Sequence, residues 1–410
     1  MKASVFTLGC KVNECESASL AEGLARQGFE VSEGLVYADL YILNTCAVTG
    51  EAEKKSRQAV ERIRKANPKA KIIVCGCAAQ KTPEVFYKKE NVVVVKGAMG
   101  KGEILDLIGK EGVFADTVSC EFEELPPPKT LKTRAFVRIQ DGCNRFCSYC
   151  IIPWLRGRSR SRNLESAAEE ILSSKAKEVV ITGIDVSVYN DHGRDLADLL
   201  LAINHTDKRI RFGSLEASVI TEKFLQAAKT IPDFAPHFHL SLQSGSAEVL
   251  RKMNRHYSPE EYAEKVRLAR SYFPDCAITT DIIVGFPTET EQNFEETLRF
   301  VEEIRFSAIH CFPYSKRTGT AAAKMQDLPK EIKSERLHRL LFVAEKLHGE
   351  YIRKFIGKEL SFIPEEDKGG YTVGYSENYI RLYSEGEVKQ KCKVVAKQVF
   401  EDGLLVQLSD

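Results

Sequence analysis

The sequence carries almost no net charge: 59 Lys and Arg against 58 Asp and Glu leave +1 over 410 residues. No global basic field therefore advertises a nucleic-acid partner, and any such partner must be held by local patches. Long apolar runs are missing as well. No stretch approaches the ~18 consecutive apolar residues of a membrane span. The opening MKASVFTLGC is broken at Cys10 and Lys11 before a secretory core can form, so the expectation is a cytoplasmic protein without membrane association. Internal repeats and low-complexity segments are absent, which excludes repeat arrays and disordered tracts. What remains, at 43% hydrophobic and 29% charged, is a globular chain of two or three domains.

Cysteine, by contrast, is plentiful and clustered. Cys143, Cys147 and Cys150 lie in Asp-Gly-Cys-Asn-Arg-Phe-Cys-Ser-Tyr-Cys. In an unsecreted chain of this size, grouped thiols read as metal ligands rather than a disulfide framework. A cubane iron–sulfur cluster takes four ligands, usually thiolates, so three close cysteines suit a cube whose fourth iron is left to a non-protein ligand. A structural zinc site would want a fourth Cys or His at short spacing, and the next histidine, His192, lies 42 residues beyond Cys150. Three further thiols, Cys10, Cys46 and Cys77, each sit at the carboxyl end of an expected strand. Strand ends of an open parallel sheet form its ligand crevice, so these three either converge on one point or are inert core thiols.

The hydrophobic pattern organises the chain. Residues 4–8, 39–44, 71–76 and 91–95 read as strands, with helical periodicity over 14–27 and 50–66, giving an open α/β sheet for residues 1–120. Three consecutive prolines make 121–133 a linker. From Arg134, strands at 135–139, 178–183, 210–215, 237–242, 277–285 and 307–313 alternate with helical stretches such as 164–174, 195–204, 258–272 and 291–304. Six such units are too few for an eight-fold barrel of about 250 residues and fit a partial barrel over 134–345, with the cysteine loop at the carboxyl end of its first strand. A long amphipathic helix over 331–356 precedes five short strands, making 346–410 a small all-β unit with its leading helix.

The spacing Cys-x3-Cys-x2-Cys, with Tyr149 before the last cysteine, resembles the signature of radical S-adenosylmethionine (radical SAM) enzymes. The stretches TLGCKVNECES, NTCAVTGEAEKKSR, CGCAAQ, DGCNRFCSYCIIPWLRGRSRSR, HLSLQSGS and DIIVGFP together resemble the methylthiotransferase family. The resemblance implies a partial (βα)6 radical SAM barrel between an amino-terminal sheet domain and a carboxyl-terminal barrel of the TRAM type. It implies two 4Fe–4S clusters, one on Cys143, Cys147 and Cys150 and an auxiliary one on Cys10, Cys46 and Cys77, each with a free iron. Cys75 is assigned to packing, as are Cys15, Cys120, Cys276, Cys311 and Cys392, which match no cluster motif and are expected to be buried and inert. In DIIVGFPTET the family pattern usually has Gly where this chain has Thr288.

The implied reaction places a methylthio group on a carbon bearing an unactivated hydrogen. No side-chain base removes such a hydrogen at neutral pH, so the cofactor does the hard step and no catalytic side chain is expected. The implied sequence is reductive cleavage of SAM at the first cluster, radical attack at the substrate carbon, and sulfur delivery from the auxiliary cluster. An electron donor and a sulfur source are required that the sequence does not identify. Candidate SAM contacts are Tyr149, on the adenine or as a packing aromatic; Gly183 and Asp185 after the second barrel strand; Ser214 and Glu216 ending the third; Gln243 ending the fourth; and Arg255, for the SAM carboxylate or a substrate phosphate.

Arg156, Arg158, Arg160 and Arg162 space four guanidinium groups just after the cysteine loop. They read either as a solvated charge run or as phosphate contacts to a tRNA anticodon arm. The carboxyl-terminal unit has nine basic against ten acidic residues over 351–410 and is locally basic only at 389–397. Within the family, TLGCKVNECES and HCFPYSKRTGTAAAKM are most similar to the subgroup acting at carbon 2 of N6-threonylcarbamoyladenosine in tRNA. Enzymes for isopentenyl-type adenosine come second and those for a ribosomal protein side chain third. A non-catalytic RNA-binding or cluster-carrying protein is the reading from another class, and two complete cysteine triads argue against it.

Overall fold

The computed structural model describes residues 1–116, 119–129 and 133–409. Aliphatic runs form β1 (Lys2–Thr7), β2 (Glu30–Glu33), β3 (Leu40–Thr45), β4 (Lys71–Gly76), β5 (Val92–Lys96) and β6 (Gly112–Phe114), all paired in parallel in the order β2-β1-β3-β4-β5-β6. The edge strands β2 and β6 were not expected; both are short and have no buried residue, so they lack the apolar alternation that reveals a strand. Helices α1 (Lys11–Arg26), α2 (Gly50–Ala66), α3 (Cys77–Lys81) and α4 (Pro83–Tyr87) connect the strands. Side-chain alternation divides the central strands. Ile42, Ile73, Cys75 and Val94 meet Leu20 and Leu24 of α1, while Tyr41, Leu43, Ile72 and Val74 meet Ala59, Val60 and Ile63 of α2. The strand order reverses between β1 and β3, which opens a crevice at their carboxyl ends.

The proline-rich stretch separates this sheet from the next, yet its described part is held against the protein. Glu123 accepts from the Gly102 N–H at 2.7 Å, and Glu124 accepts from Arg162 at 3.0 Å. Linker residues 130–132 lie outside the described residues, as do 117 and 118 in the expected first domain.

The second unit contains β7 (Arg134–Asp141), β8 (Arg160–Ser161), β9 (Glu178–Gly183), β10 (Arg209–Phe212), β11 (Ser214–Leu215), β12 (His237–Leu240), β13 (Ala277–Val284) and β14 (Ala308–Pro313). They form two sheets, β10-β9-β7-β8 and β11-β12-β13-β14, parallel except for β8. The expected third strand breaks at Gly213, so its halves join different sheets. The result is a curved, open (βα)6 arrangement. Helices α5 (Ile152–Arg156), α6 (Leu164–Ser173), α7 (Leu196–Ala202), α8 (Glu222–Lys229), α9 (Ala247–Lys252), α10 (Pro259–Tyr272) and α11 (Glu291–Ile304) complete it. Reciprocal capping boxes start α7, α10 and α11, fixing where each strand hands over to its helix.

Helix α12 (Lys330–Arg353) corrects the boundary expected at residue 346, which falls inside it. Leu340 and Leu347 complete the core of the second unit, whereas Tyr351, Ile352 and the following Phe355 belong to the third. That third unit closes as β15-β16-β17-β19-β18, with β15 (Glu359–Lys368), β16 (Tyr371–Tyr375), β17 (Arg381–Glu385), β18 (Cys392–Phe400) and β19 (Gly403–Leu408). It docks through buried arginines of β10. Arg209 donates to the Ser361 carbonyl at 3.0 Å, and Arg211 donates to the Ser376 and Glu377 carbonyls at 3.1 Å. Among the described residues no helix is long and apolar enough to cross a membrane.

Candidate metal centres and active-site cavity

Cys10, Cys46 and Cys77 follow β1, β3 and β4, three adjacent parallel strands, and all three line one cavity of about 850 Å³. Two glycines make the approach possible. Gly9 has φ +112°, and a Cβ on it would lie 2.8 Å from Cys46 Sγ; Gly76 has φ +96°, and its Cβ would lie 2.5 Å from the Thr45 carbonyl oxygen. Only glycine fits such sites. Cys10 occupies the N-cap of α1, where helix N–H groups favour a thiolate. Burial acts the other way, raising the Cys10 thiol and pushing Cys46 up to about 11. Cys75 points to the opposite face of β4, into the apolar cluster with α1.

Arg156 ties this triad to the second one. It belongs to α5, directly after the Cys143–Cys150 loop, yet its guanidinium reaches into the first unit. Nε donates to Cys77 Sγ at 3.3 Å, Nη1 to Glu16 at 2.8 Å and Asp141 at 3.1 Å, and Nη2 to Asn13 at 2.9 Å. Lys101 and Arg138 also pair with Glu16, whose carboxyl is held well below its usual range because three cations outweigh its burial. The exposed arginine run expected after the cysteine loop is therefore corrected. Arg156 is fully buried, Arg160 is buried against Asp141 at 2.8 Å, and Arg162 is buried between Glu124 and Glu170. Only Arg158 is exposed, lying 4.5 Å from the centroid of the Phe146 ring. The physical reason is the β-bridge at Arg160–Ser161, which folds the segment back onto β7 and turns its side chains inward.

The Cys143–Cys150 loop follows β7 and is held by backbone bonds. Cys143 N–H donates to the Gly157 carbonyl at 3.1 Å, Ser148 N–H to Met253 at 2.9 Å, and Ala322 N–H to Ser148 at 2.7 Å. Burial pushes the Cys143 thiol up to about 11 and Cys150 up to about 12. Arg255 donates to Cys147 Sγ at 3.4 Å and pairs with Glu216 at 3.3 Å; Arg145 donates to Asp185 at 2.8 Å and also pairs with Glu216. Asp185, Glu216 and Arg255 thus gather at this loop, with their charges already mutually satisfied. Gly183 and Ser214 line the central cavity instead. Tyr149 packs in a cluster with Val249, Met253, Phe286 and Tyr314, and Gln243 uses its backbone to bridge to β13, donating to Asp281 at 2.8 Å. Cys15 and Cys276 are buried, Cys311 and Cys392 half-buried. Cys120 is exposed, contrary to expectation, because it sits in the proline-rich stretch rather than in a strand.

The far wall of the cavity was missed in the sequence. Parallel register sets His239 opposite Thr279 and Asp281 opposite His310, and period-two alternation puts His237 and His239 on one face. The pattern His-x-His facing Thr-x-Asp was the available signal. His239 Nε2 lies 3.2 Å from Asp281 Oδ2, while His239 Nδ1 and His237 Nε2 both lie 3.0 Å from Thr279 Oγ1. His237 stacks on Tyr379 of the third unit at 4.8 Å, and Lys11 completes the wall from the start of α1.

The donor sets fit polynuclear clusters. Each triad offers three thiols, three of the four ligands a cubane takes, and each of its cysteines is free of a disulfide; the group His239, Asp281 and His310, whose ligating atoms lie within 4.8 Å of one another, is a separate set with no thiol. Cys10, Cys46, Cys143 and Cys150, whose thiols burial raises, gain as thiolates once bound to a cationic cluster.

Residues 137–301 match the radical SAM superfamily, and residues 2–97 match the Uncharacterized protein family UPF0004. The chain is 37% identical over 420 residues to a threonylcarbamoyladenosine tRNA methylthiotransferase of Bacillus subtilis, covering 97% of this chain and 93% of that one. It is 38% identical to the Thermotoga maritima enzyme of that name, covering 98% and 95%. Identity to a tRNA-2-methylthio-N(6)-dimethylallyladenosine synthase of Oceanobacillus iheyensis is 34%, covering 98% of this chain and 82% of that one. In fold the chain is similar to the radical S-adenosylmethionine methyltransferase TsrM of Kitasatospora setae, with a TM-score of 0.56 at 16% identity over 76% of this chain and 73% of that one.

Proposed function

Because the chain belongs to the methylthiotransferase family of radical SAM enzymes, we propose that it adds a methylthio group to carbon 2 of N6-threonylcarbamoyladenosine beside the anticodon of tRNA. Its cofactors are S-adenosylmethionine and two 4Fe–4S clusters. When bound, they supply the one-electron cleavage of SAM and the methylthio sulfur. Cys143, Cys147 and Cys150 would hold the first cluster and Cys10, Cys46 and Cys77 the second. The observation that carries the reading is the single cavity into which the second triad opens, with room for a modified nucleoside between it and the barrel.

The protein's own part is positional. Arg145 and Arg255 hold Asp185 and Glu216 beside the first triad, where SAM's polar groups would exchange with them. Arg156 fixes α5 to Cys77, so the two triads keep one relative placement. The third unit contributes Tyr375 and Tyr379 to the cavity lining. For the RNA, support shifts from the buried arginines to a surface of Arg158, half-buried Phe146 and Trp154, whose side chain is 67% exposed. Aromatic faces with one cation suit an unpaired base and its phosphate. The lysines at 389–397 are weaker candidates, since Lys389, Lys391 and Lys393 are each paired to a carboxylate. With a tRNA substrate the proposed site of action is the cytoplasm.

Threonylcarbamoyladenosine is favoured over dimethylallyladenosine by extent, the identities overlapping at 37–38% and 34–37%. The chain covers 93–97% of the first three relatives named for the former and 80–82% of those named for the latter. Nucleoside mass spectrometry of tRNA from a deletion strain tests the proposal. The 2-methylthio form of threonylcarbamoyladenosine should vanish and return with the intact gene; loss of 2-methylthio-isopentenyladenosine instead would reassign the substrate.

A further inference from the structure

The cavity lining has more basic side chains than carboxylates to satisfy them. Of the basic side chains lining it, Arg156 is paired with Glu16 and Asp141, Arg381 with Glu366 and Asp402, and His239 with Asp281. His348 is held by the Ser307 and Asp402 carbonyls and His237 by Thr279. Among the described residues, the side chains of Lys11 and His310 have no hydrogen bond or ion pair. Lys11 acts electrostatically on His237, His310 and Asp281, and it feels Arg134 and Arg211 more strongly than Glu14 or Glu178. These two groups stand on different units, Lys11 on α1 and His310 on β14.

We infer that Lys11 and His310 form a carboxylate subsite that holds the threonyl carboxylate of the modified adenosine. This rests on the substrate reading above and adds to it the feature that tells this nucleoside from an isopentenyl one. An anion entering a partly enclosed cavity must be paired, and these two groups are the free partners. A hydrocarbon side chain in the same place would leave the Lys11 ammonium and the His310 ring N–H unmatched, the kind of mismatch by which polar sites reject analogues. Asp281, pinned by His239 at 3.2 Å, stands beside His310 to accept from the threonyl hydroxyl or the urea N–H. A divalent cation on His239, Asp281 and His310 is the competing use of this wall. The positive charge of Lys11 opposes it, and the His239–Asp281 hydrogen bond already occupies two of its three ligands.

The test uses the full-length enzyme with both clusters reconstituted anaerobically. Its RNA is an anticodon stem-loop carrying threonylcarbamoyladenosine or the corresponding methyl ester, which keeps the shape and removes the charge. His310→Gln and Lys11→Met should each weaken binding of the acid about tenfold or more, the scale of a charge-assisted hydrogen bond. Wild-type binding of the ester should be weakened to a similar degree, and the variants should lose little further on the ester. Equal losses on acid and ester, with the acid still methylthiolated, would overturn the subsite and leave the substrate reading intact. Methylthiolation of an isopentenyladenosine stem-loop alone would instead remove the substrate reading. Stoichiometric metal beyond the clusters' iron, lost in His310→Gln, would assign the wall to a cation. His310 is exposed and unbonded, so its variant folds and carries the test even if Lys11→Met disturbs neighbouring Cys10.

Discussion

Arg156 exchanges water for Glu16, Asp141, Asn13 and the Cys77 sulfur, so its charge is needed where it lies. Replacing it with Gln leaves two buried carboxylates short of a cation, and the expected loss is about 3–5 kcal/mol of stability, read as a lowered midpoint in anaerobic denaturant unfolding. Arg158→Gln, at an exposed site, should change stability by less than about 0.5 kcal/mol while flattening the salt dependence of tRNA binding. The opposite ranking in both measurements would return the RNA contact to Arg156. Thr288 shows the same discipline on a smaller scale. It adopts φ +70° at an exposed turn where the family usually has Gly, and its hydroxyl makes no hydrogen bond. A β-branched residue in the left-handed region is strained. Thr288→Gly should therefore raise stability by about 0.5–1 kcal/mol after the added freedom of the unfolded chain is counted, a gain visible in Tm.

Between elements, the most consequential polar contact is Glu178 on β9. It pairs with Arg211 of β10 at 2.9 Å and with Arg134 of β7 at 2.7 Å, and Arg211 in turn donates to the carbonyls that dock the third unit. Burial raises the Glu178 carboxyl, but Arg211, Arg134 and Arg209 outweigh it and bring it down to about 2. A carboxylate depressed on folding contributes stability that is fully present above its unfolded value, ~4.3, and is lost as pH falls toward the folded value. Acid titration from pH 5 toward 2 should therefore release the carboxyl-terminal barrel, seen as faster hydrogen exchange at Ser376 and Glu377. Glu178→Gln should show that release already at neutral pH and lose the acid step. A variant with wild-type exchange would mean that apolar packing of α12 alone docks the barrel.

For the whole molecule, the two triads sit on different units and face different chemistry. Reconstituted protein should hold about eight irons, and a variant lacking Cys143, Cys147 and Cys150 about four, since each cubane holds four. Loss of Cys10, Cys46 or Cys77 should spare reductive cleavage of SAM while abolishing methylthiolation. Arg156 complicates this separation in a measurable way, because it touches Cys77 from the helix that follows Cys150. If removing the auxiliary triad also halves SAM cleavage in a folded variant, that bridge transmits the change, and Arg156→Gln should reproduce it.

Much of this was legible in the sequence because it is local. Short apolar runs marked the central strands, which a parallel sheet buries on both faces; Cys143, Cys147 and Cys150 stood out by their spacing, whereas Cys10, Cys46 and Cys77 were singled out by the family resemblance and not by their strand-end positions alone. Edge strands β2 and β6 escaped because exposed edges need no apolar pattern, and the boundary at 346 failed because α12 serves two cores at once. The arginine run was misplaced for a deeper reason. Spacing in sequence reports charge, but whether a guanidinium meets water or Glu16 is decided by which segments the fold brings together, here residues 140 positions apart. The same holds for the basic wall of Lys11, His237, His239 and His310. Its members come from two strands and a helix of two units, and only the parallel register of β12, β13 and β14 sets them around one cavity.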